Sequence, residues 1–275
     1  MSRVLSIPQA VMDYRLIQAM NEIRENSEDT VDVVSKAKSL SKFGRTAAVG
    51  TSFETVWEYG GDETYATTNA IDTISSSSAS DTDVDITVEG HTVSGTGADA
   101  QYTFVIQTVN TNGQSKVLLP TPLARTARQY VSGATAAVGD IYVYEDDTLT
   151  GGVPNTAAKV HNVILGAAGN TQSYKAATTF SNTDYFICTS GWASVSRNAG
   201  NVNVDLELQV KPAGGVFRPV AARISLGTQG SQTVQIFFDP YVIVPKNADI
   251  RVVAEASASA EVHTNFNGYL AQVVS

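Results

Sequence analysis

The sequence is poor in the residues that do chemistry. Of 275 residues, one is cysteine, three are histidine and two are tryptophan. Cys188 has no partner for an internal disulfide, and there is no cysteine pair to hold zinc or run dithiol exchange. Stability therefore has to come from packing or oligomerisation. Charged residues make up only 16% of the chain, below the roughly one quarter of an ordinary domain. Eighteen basic against 27 acidic side chains leave a net charge of −9, the wrong sign for a general nucleic-acid binder. Long apolar runs are also missing, and no stretch approaches the ~20 residues of a membrane span. The N-terminal segment carries Arg3, Asp13 and Arg15 and lacks the roughly 7–15-residue apolar core of a signal peptide. Synthesis and folding in a cytosol are expected, with neither nucleic acid nor membrane as a direct partner.

None of His91, His161 and His263 has a partner at a metal-binding spacing, so each is read as a packed or surface strand residue. Asp81-Thr82-Asp83-Val84-Asp85 resembles the opening of a calcium loop. It fails at the sixth position, Ile86, where glycine is needed, and at the twelfth, Thr92, where a bidentate glutamate is needed. Its period of two instead puts the three carboxylates on one solvated face of a strand. Nucleophile-elbow, phosphate-loop and dinucleotide fingerprints are absent, and Gly95-Thr96-Gly97 lacks the third glycine. The chain nominates no catalytic residue, no metal ligand and no cofactor, and it is not expected to be an enzyme.

The remaining composition, with 21 glycines and many Ser, Thr, Asn and Gln residues, suits a β protein with many turns. Residues 1–42 are the exception. Ser6-Ile7-Pro8 offers a helix start, Val11, Tyr14, Ile17, Met20 and Ile23 recur every three residues, and Val33, Val34, Ala37 and Leu40 form a second stripe. This reads as a short helical arm that ends at Phe43 and Arg45, with Gly44 permitting a turn. Beyond Thr46 the helical period disappears. Val202 to Val210 alternates apolar and polar residues without a break, and Tyr102–Val109 and Gln114–Leu119 flank Thr111-Asn112-Gly113 as a predicted hairpin. Ser75 to Ser80 reads as a loop. Trp57 lies in a Gly-rich junction, and Trp192 suits a core or a surface position equally. All of the net charge sits in residues 43–150, with four basic and fourteen acidic groups, and Gly151-Gly152-Val153-Pro154-Asn155 is a turn cluster. The expected organisation is mainly β: an arm over 1–42, an acidic β-domain over 43–152, and a jelly-roll-like antiparallel β-sandwich over 153–275.

Phe43-Gly44-Arg45, followed by Val49-Gly50-Thr51-Ser52-Phe53-Glu54-Thr55-Val56-Trp57-Glu58-Tyr59-Gly60-Gly61, resembles a segment of virion structural proteins of tailed bacteriophages. Thr46 stands where that segment commonly has Asn. Ser190-Gly191-Trp192-Ala193-Ser194-Val195, Leu208 to Phe217, Val244 to Val252 and Asn267-Gly268-Tyr269-Leu270 are similar to capsid decoration, or cement, proteins of short-tailed phages. The resemblance covers about the first 60 and the last 100 residues. It implies a homotrimer on the outer surface of the capsid, made in the host cytoplasm, with the major capsid protein and itself as partners. On that reading the capsid-binding candidates are Tyr14, Ile17, Met20, Ile23, Val33, Val34, Leu40, Phe43 and Arg45. The alternative is a neck, tail-fibre or head-fibre adhesin that binds a host surface glycan.

Overall fold

The computed structural model describes residues 38–196, 202–228 and 232–272, and the chain they form is mainly β. β1 (Lys38–Val49) and the short β2 (Glu54–Thr55) come first. Next are β3 (Ile71–Ser76), β4 (Asp85–Ser94), β5 (Gln101–Asn110), β6 (Val117–Leu123), β7 (Arg125–Val131), β8 (Ile141–Glu145), β9 (Leu149–Thr150), β10 (Val153–Pro154) and β11 (Val160–Ile164). The last group is β12 (Ala177–Thr179), β13 (Asp184–Ser196), β14 (Val202–Lys211), β15 (Arg218–Pro219), β16 (Ile224–Thr228), β17 (Gln232–Val244), β18 (Asp249–Ala256) and β19 (Ala260–Gln272).

Two sandwiches result. In the first, the sheet β11-β8-β3-β6 faces the sheet β5-β4-β7. Ile71, Ile74, Leu123 and Ile141 from one sheet and Ile86 and Val88 from the other close its core. In the second, β1-β19-β13-β17 faces a sheet built on β12-β18-β14, with β15 and β16 on β14 and β2 on β18. Phe186, Val244, Val262 and Phe266 meet Val204, Leu206, Ile250 and Ala254 across that gap. Successive strands β13, β14, β17, β18 and β19 change or share sheets in a jelly-roll-like manner, so the expected antiparallel β-sandwich is present.

Several local expectations are corrected. Residues 38–42, expected to finish a helix, are strand: Lys38 pairs with Leu270 and Lys42 with Phe266 on β19. Residues 1–37 lie outside the described residues. Gly44 does not turn the chain. It lies mid-strand, where an added Cβ would stand 2.3 Å from both Ala176 N and Val56 O, so β1 can pack over that hydrogen-bonded pair only without a side chain. The expected unit boundaries at 42/43 and 152/153 do not match the sheet edges. β1 belongs to the second sandwich, and β11 pairs with β8, which carries the first sheet past the Gly151–Gly152 turn to Ile164.

The predicted hairpin has its turn but not its pairing, because β5 stays with β4 while β6 crosses to β3. Gly113 N–H donates to Asp81 O and Gly113 O accepts from Ser76 N–H, so the turn, closed on itself by Ser115 N–H to Asn112 O, is anchored by the 76–81 segment. Ser75 and Ser76, read as loop, are the buried end of β3. The three aspartates do not share a face either. Asp81 is buried and caps the 138–139 turn through Val138 and Gly139 N–H, whereas Asp83 and Asp85 are exposed.

Candidate functional site

The segment Phe43 to Gly61 is tied together by hydrogen bonds around Thr46 and Trp57. Thr46 Oγ1 accepts from Trp57 N–H at 3.0 Å and donates to Trp57 O at 3.1 Å, and the Trp57 indole donates to Gly61 O. Trp57 is buried against Tyr142, Tyr144, Val160 and Val163 of the first sandwich, so the segment ties β1 of one sandwich to the wall of the other. Phe43 packs on Tyr174 with ring centroids 5.3 Å apart. Arg45 pairs with Glu261 at 2.6 Å, and Leu40 packs half-buried on the second core. These three candidates are therefore engaged within the chain. Tyr14, Ile17, Met20, Ile23, Val33 and Val34 lie outside the described residues.

Charged side chains fill the joint between the sandwiches. Arg125 on β7 reaches Asp249 on β18 through two nitrogens, at 2.9 and 3.2 Å, and Lys211 meets the same carboxylate at 2.9 Å. Burial alone would raise the Asp249 carboxyl, but Arg125, its hydrogen bonds and Lys211 hold it below the usual range. Lys175 pairs with Glu63, both buried, and also donates to Thr126 and to the carbonyl of His161. Burial outweighs that pairing and lowers the Lys175 ammonium while raising the Glu63 carboxyl. Lys42 donates to Ala127 O, and burial, with Lys175 close by, pushes its ammonium down to about 7. His91 and His161 are buried strand residues. Desolvation lowers them to about 4 and about 3, which keeps both rings neutral.

The outer face of β1-β19-β13-β17 carries a second constellation. Strand register aligns Phe43, Asn265, Trp192 and Gln235 in one row across the four strands. The next row is Arg45, His263, Ser194 and Thr233, and the row on the other side is Ser41, Asn267, Ser190 and Phe237. The period of two directs all of these to the side away from the core. Hydrogen bonds fix the polar groups. Asn265 Oδ1 accepts from Trp192 N–H at 2.9 Å, Asn265 Nδ2 donates to Asn267 Oδ1 at 3.1 Å, and Thr233 donates to Ser194 at 3.1 Å.

Where this face meets the 170–174 loop it opens into a cleft of about 410 Å³, walled by Phe43, Tyr174 and Trp192 and rimmed by Arg45, Asn170 and His263. Behind it Asn170 Nδ2 donates to Glu58 Oε1 at 2.6 Å. Burial raises the Glu58 carboxyl to about 7. At the rim, burial works to raise Glu261, but hydrogen bonds from Arg45, Ser196 and His263 hold it below the usual range. Sequence reasoning named Phe43, Arg45, Trp192 and His263 separately. Strand register, not the sequence, brings these four to one sheet face, and Asn170 and Tyr174 join them only through tertiary contact.

Large exposed apolar side chains concentrate on strands at sheet edges. Phe237, 71% exposed, and Ile243 lie on β17, Leu118, 69% exposed, on β6, and Phe104 and Ile106 on β5. Among the described residues, no group of three or more His, Cys, Asp or Glu side chains is placed to hold a metal ion.

No family model matches the chain, and no curated protein matches it in sequence. Among solved structures it is similar to infectious bursal disease virus, Gt strain, at 10% identity over 90% of this chain and 79% of that one, with a TM-score of 0.21. It is likewise similar to the VP2 subviral particle of infectious bursal disease virus, at 9% identity over 95% and 82% of the two chains, with a TM-score of 0.20. The two-sandwich architecture stands on the strand pairings of the chain itself.

Proposed function

We propose that the chain is a structural virion protein of a tailed bacteriophage, a decoration or cement protein on the outer surface of the head. It acts as a homotrimer that binds the major capsid protein and stabilises contacts between shell subunits. The observation that carries this reading is the resemblance of Phe43 to Gly61, and of the Ser190 to Leu270 segments, to such proteins.

The physical requirements of the role support it. A clamp needs stiffness and contact area and no chemistry. Two sandwiches joined by buried ion pairs supply stiffness, and edge strands bearing Phe104, Ile106, Leu118, Phe237 and Ile243 offer apolar contact area. At about 25 cal/mol per Å² a modest patch is a useful contact. Three copies of the N-terminal segment, with its apolar stripes at Tyr14 to Ile23 and at Val33 and Val34, would add to one another at high effective concentration.

The test is loading onto heads assembled without this protein, measured by co-sedimentation, for the full chain and for a variant lacking residues 1–37. Cutting at 37 spares β1. The full chain should load, with a light-scattering mass near three times 29.1 kDa. The shortened chain should keep the trimer mass and lose loading. A full chain that does not co-sediment with heads sinks the proposal.

A further inference from the structure

We infer that the outer face of the β1-β19-β13-β17 sheet, with the cleft at its β1 edge, is a binding site for an uncharged saccharide chain. This goes beyond the capsid reading and is independent of it. A pyranose presents an apolar C–H face, which stacks on an aromatic ring, and a rim of hydroxyls, each of which both donates and accepts. The cleft offers both complements. Phe43, Tyr174 and Trp192 form its walls while Asn170 and His263 stand at its rim, and about 410 Å³ lies within the range of small-ligand sites.

The face beyond the cleft continues the same chemistry. Asn265 and Gln235 flank Trp192 in its row, Asn267 and Ser190 lie on one side, and Ser194 and Thr233 on the other. Strands repeat at roughly 4.8 Å, close to the length of one sugar residue, so an extended chain crossing the strands would meet aromatic and amide side chains in alternation along the Phe43, Asn265, Trp192 and Gln235 row, and polar side chains throughout along the Arg45, His263, Ser194 and Thr233 row. The amides are already oriented by their mutual hydrogen bonds, which lowers the ordering cost of binding.

Charge selects the class. Across the three rows the one permanent charge is Arg45, and it is neutralised by Glu261 at 2.6 Å. A polyanion finds no free cation here, and an apolar peptide would leave unused the hydrogen-bonding capacity that the amides and hydroxyls keep beyond their mutual bonds. A neutral glycan leaves neither kind of group unmatched.

The sequence contains two tryptophans, and Trp57 is only 2% exposed, so a ligand-induced change in tryptophan emission reports Trp192. The full-length protein is titrated with cellohexaose, maltohexaose, mannan and galactan, with hyaluronate as the charged control. A saturable blue shift with at least one neutral probe and none with hyaluronate is expected. Asn170→Ala and His263→Ala, which keep every core residue, should each weaken that binding about tenfold or more. Trp192→Ala should abolish binding measured by calorimetry while the circular dichroism spectrum is retained. No saturable shift with any neutral probe overturns the inference, as does binding that survives both rim variants unchanged or a response to hyaluronate alone.

Discussion

Arg125 and Asp249 lie 124 residues apart in sequence and meet as a two-pronged ion pair at 2.9 and 3.2 Å, both nearly excluded from water. One belongs to the β7 edge of the first sandwich and the other opens β18 of the second, so the pair bolts the two units together. Thr179 Oγ1 at 2.6 Å and Lys211 complete the carboxylate's coordination, and the Arg125 guanidinium lies over the rings of Tyr65 and Tyr102. Removing one partner leaves a buried charge uncompensated. Asp249→Ala should therefore cost about 3–5 kcal/mol in urea denaturation. Arg125→Met combined with Asp249→Leu should recover part of that loss, because the one charge then left without the carboxylate is Lys211, whose side chain still reaches solvent.

Gly44→Ala should be among the most damaging single-methyl changes in the chain. The new Cβ would meet two backbone atoms, hydrogen-bonded to each other, at 2.3 Å, and backbone cannot yield as a side-chain tip can. Overpacking of this kind costs about 1–3 kcal/mol and sometimes more, and the upper end is expected here. Thermal melts of the variant against Gly50→Ala, where the nearest atom is a side-chain oxygen at 3.9 Å, isolate the effect.

Strands that pair with sequence neighbours, or that alternate strictly, were legible. Val202 to Lys211 is the clearest case, with Val202, Val204, Leu206 and Leu208 turned into the core. β1 was not, because Leu40 satisfies a helical stripe and a strand alternation equally well. The deciding partner, Leu270 opposite Lys38, lies at the far end of the chain. Asn112-Gly113 identified a turn correctly but could not say that its two flanks join different sheets. The charged joint was hidden for another reason. Lys, Glu, Asp and Arg are exposed by default, and nothing local in the sequence distinguishes Lys42 or Glu63 from a surface residue. The outer face of the β1-β19-β13-β17 sheet stayed hidden, since β1 read as the end of a helix and register alone aligns Trp192 with Phe43 and Asn265.

Cys188 should be inert in the folded protein. It is buried, and desolvation pushes its thiol up to about 12, so almost no thiolate forms at pH 8. A colourimetric disulfide reagent should label no thiol in buffer and one per chain in strong denaturant. Rapid labelling without denaturant would contradict the packing of β13.

Glu58 and the buried histidines act in opposite directions on acid stability. His91 and His161 are lowered to about 4 and about 3, so below about pH 6.5 the unfolded chain takes up protons that the fold refuses. Stability should fall as pH drops through that window. Glu58 is raised to about 7, so between about pH 4.5 and 7 the fold holds a proton that the unfolded chain has released, and stability falls as pH rises there. Glu58→Gln keeps an acceptor for Asn170 and removes the ionisation. It should match the parent in urea denaturation at pH 4.5 and exceed it at pH 8.

Lys42 extends the same reasoning to alkaline pH. Its ammonium is held at about 7 in the fold against an ordinary 10.5, and the backbone oxygen of Ala127 is its hydrogen-bond acceptor. Below pH 7 both the folded and the unfolded chain carry the charge, and the fold bears the full cost of burying it. Between about 7 and 10.5 only the unfolded chain keeps the proton, so stability should rise with pH across that interval. Lys42→Met retains the apolar stem and discards the charge. It should melt roughly 2–4 °C above the parent at pH 6, the shift expected for about 1 kcal/mol in a chain of this size. That advantage should shrink steadily toward pH 10, where the folded parent has already lost its proton. A gap that is constant from pH 6 to pH 10 would mean that water reaches the Lys42 ammonium in the fold.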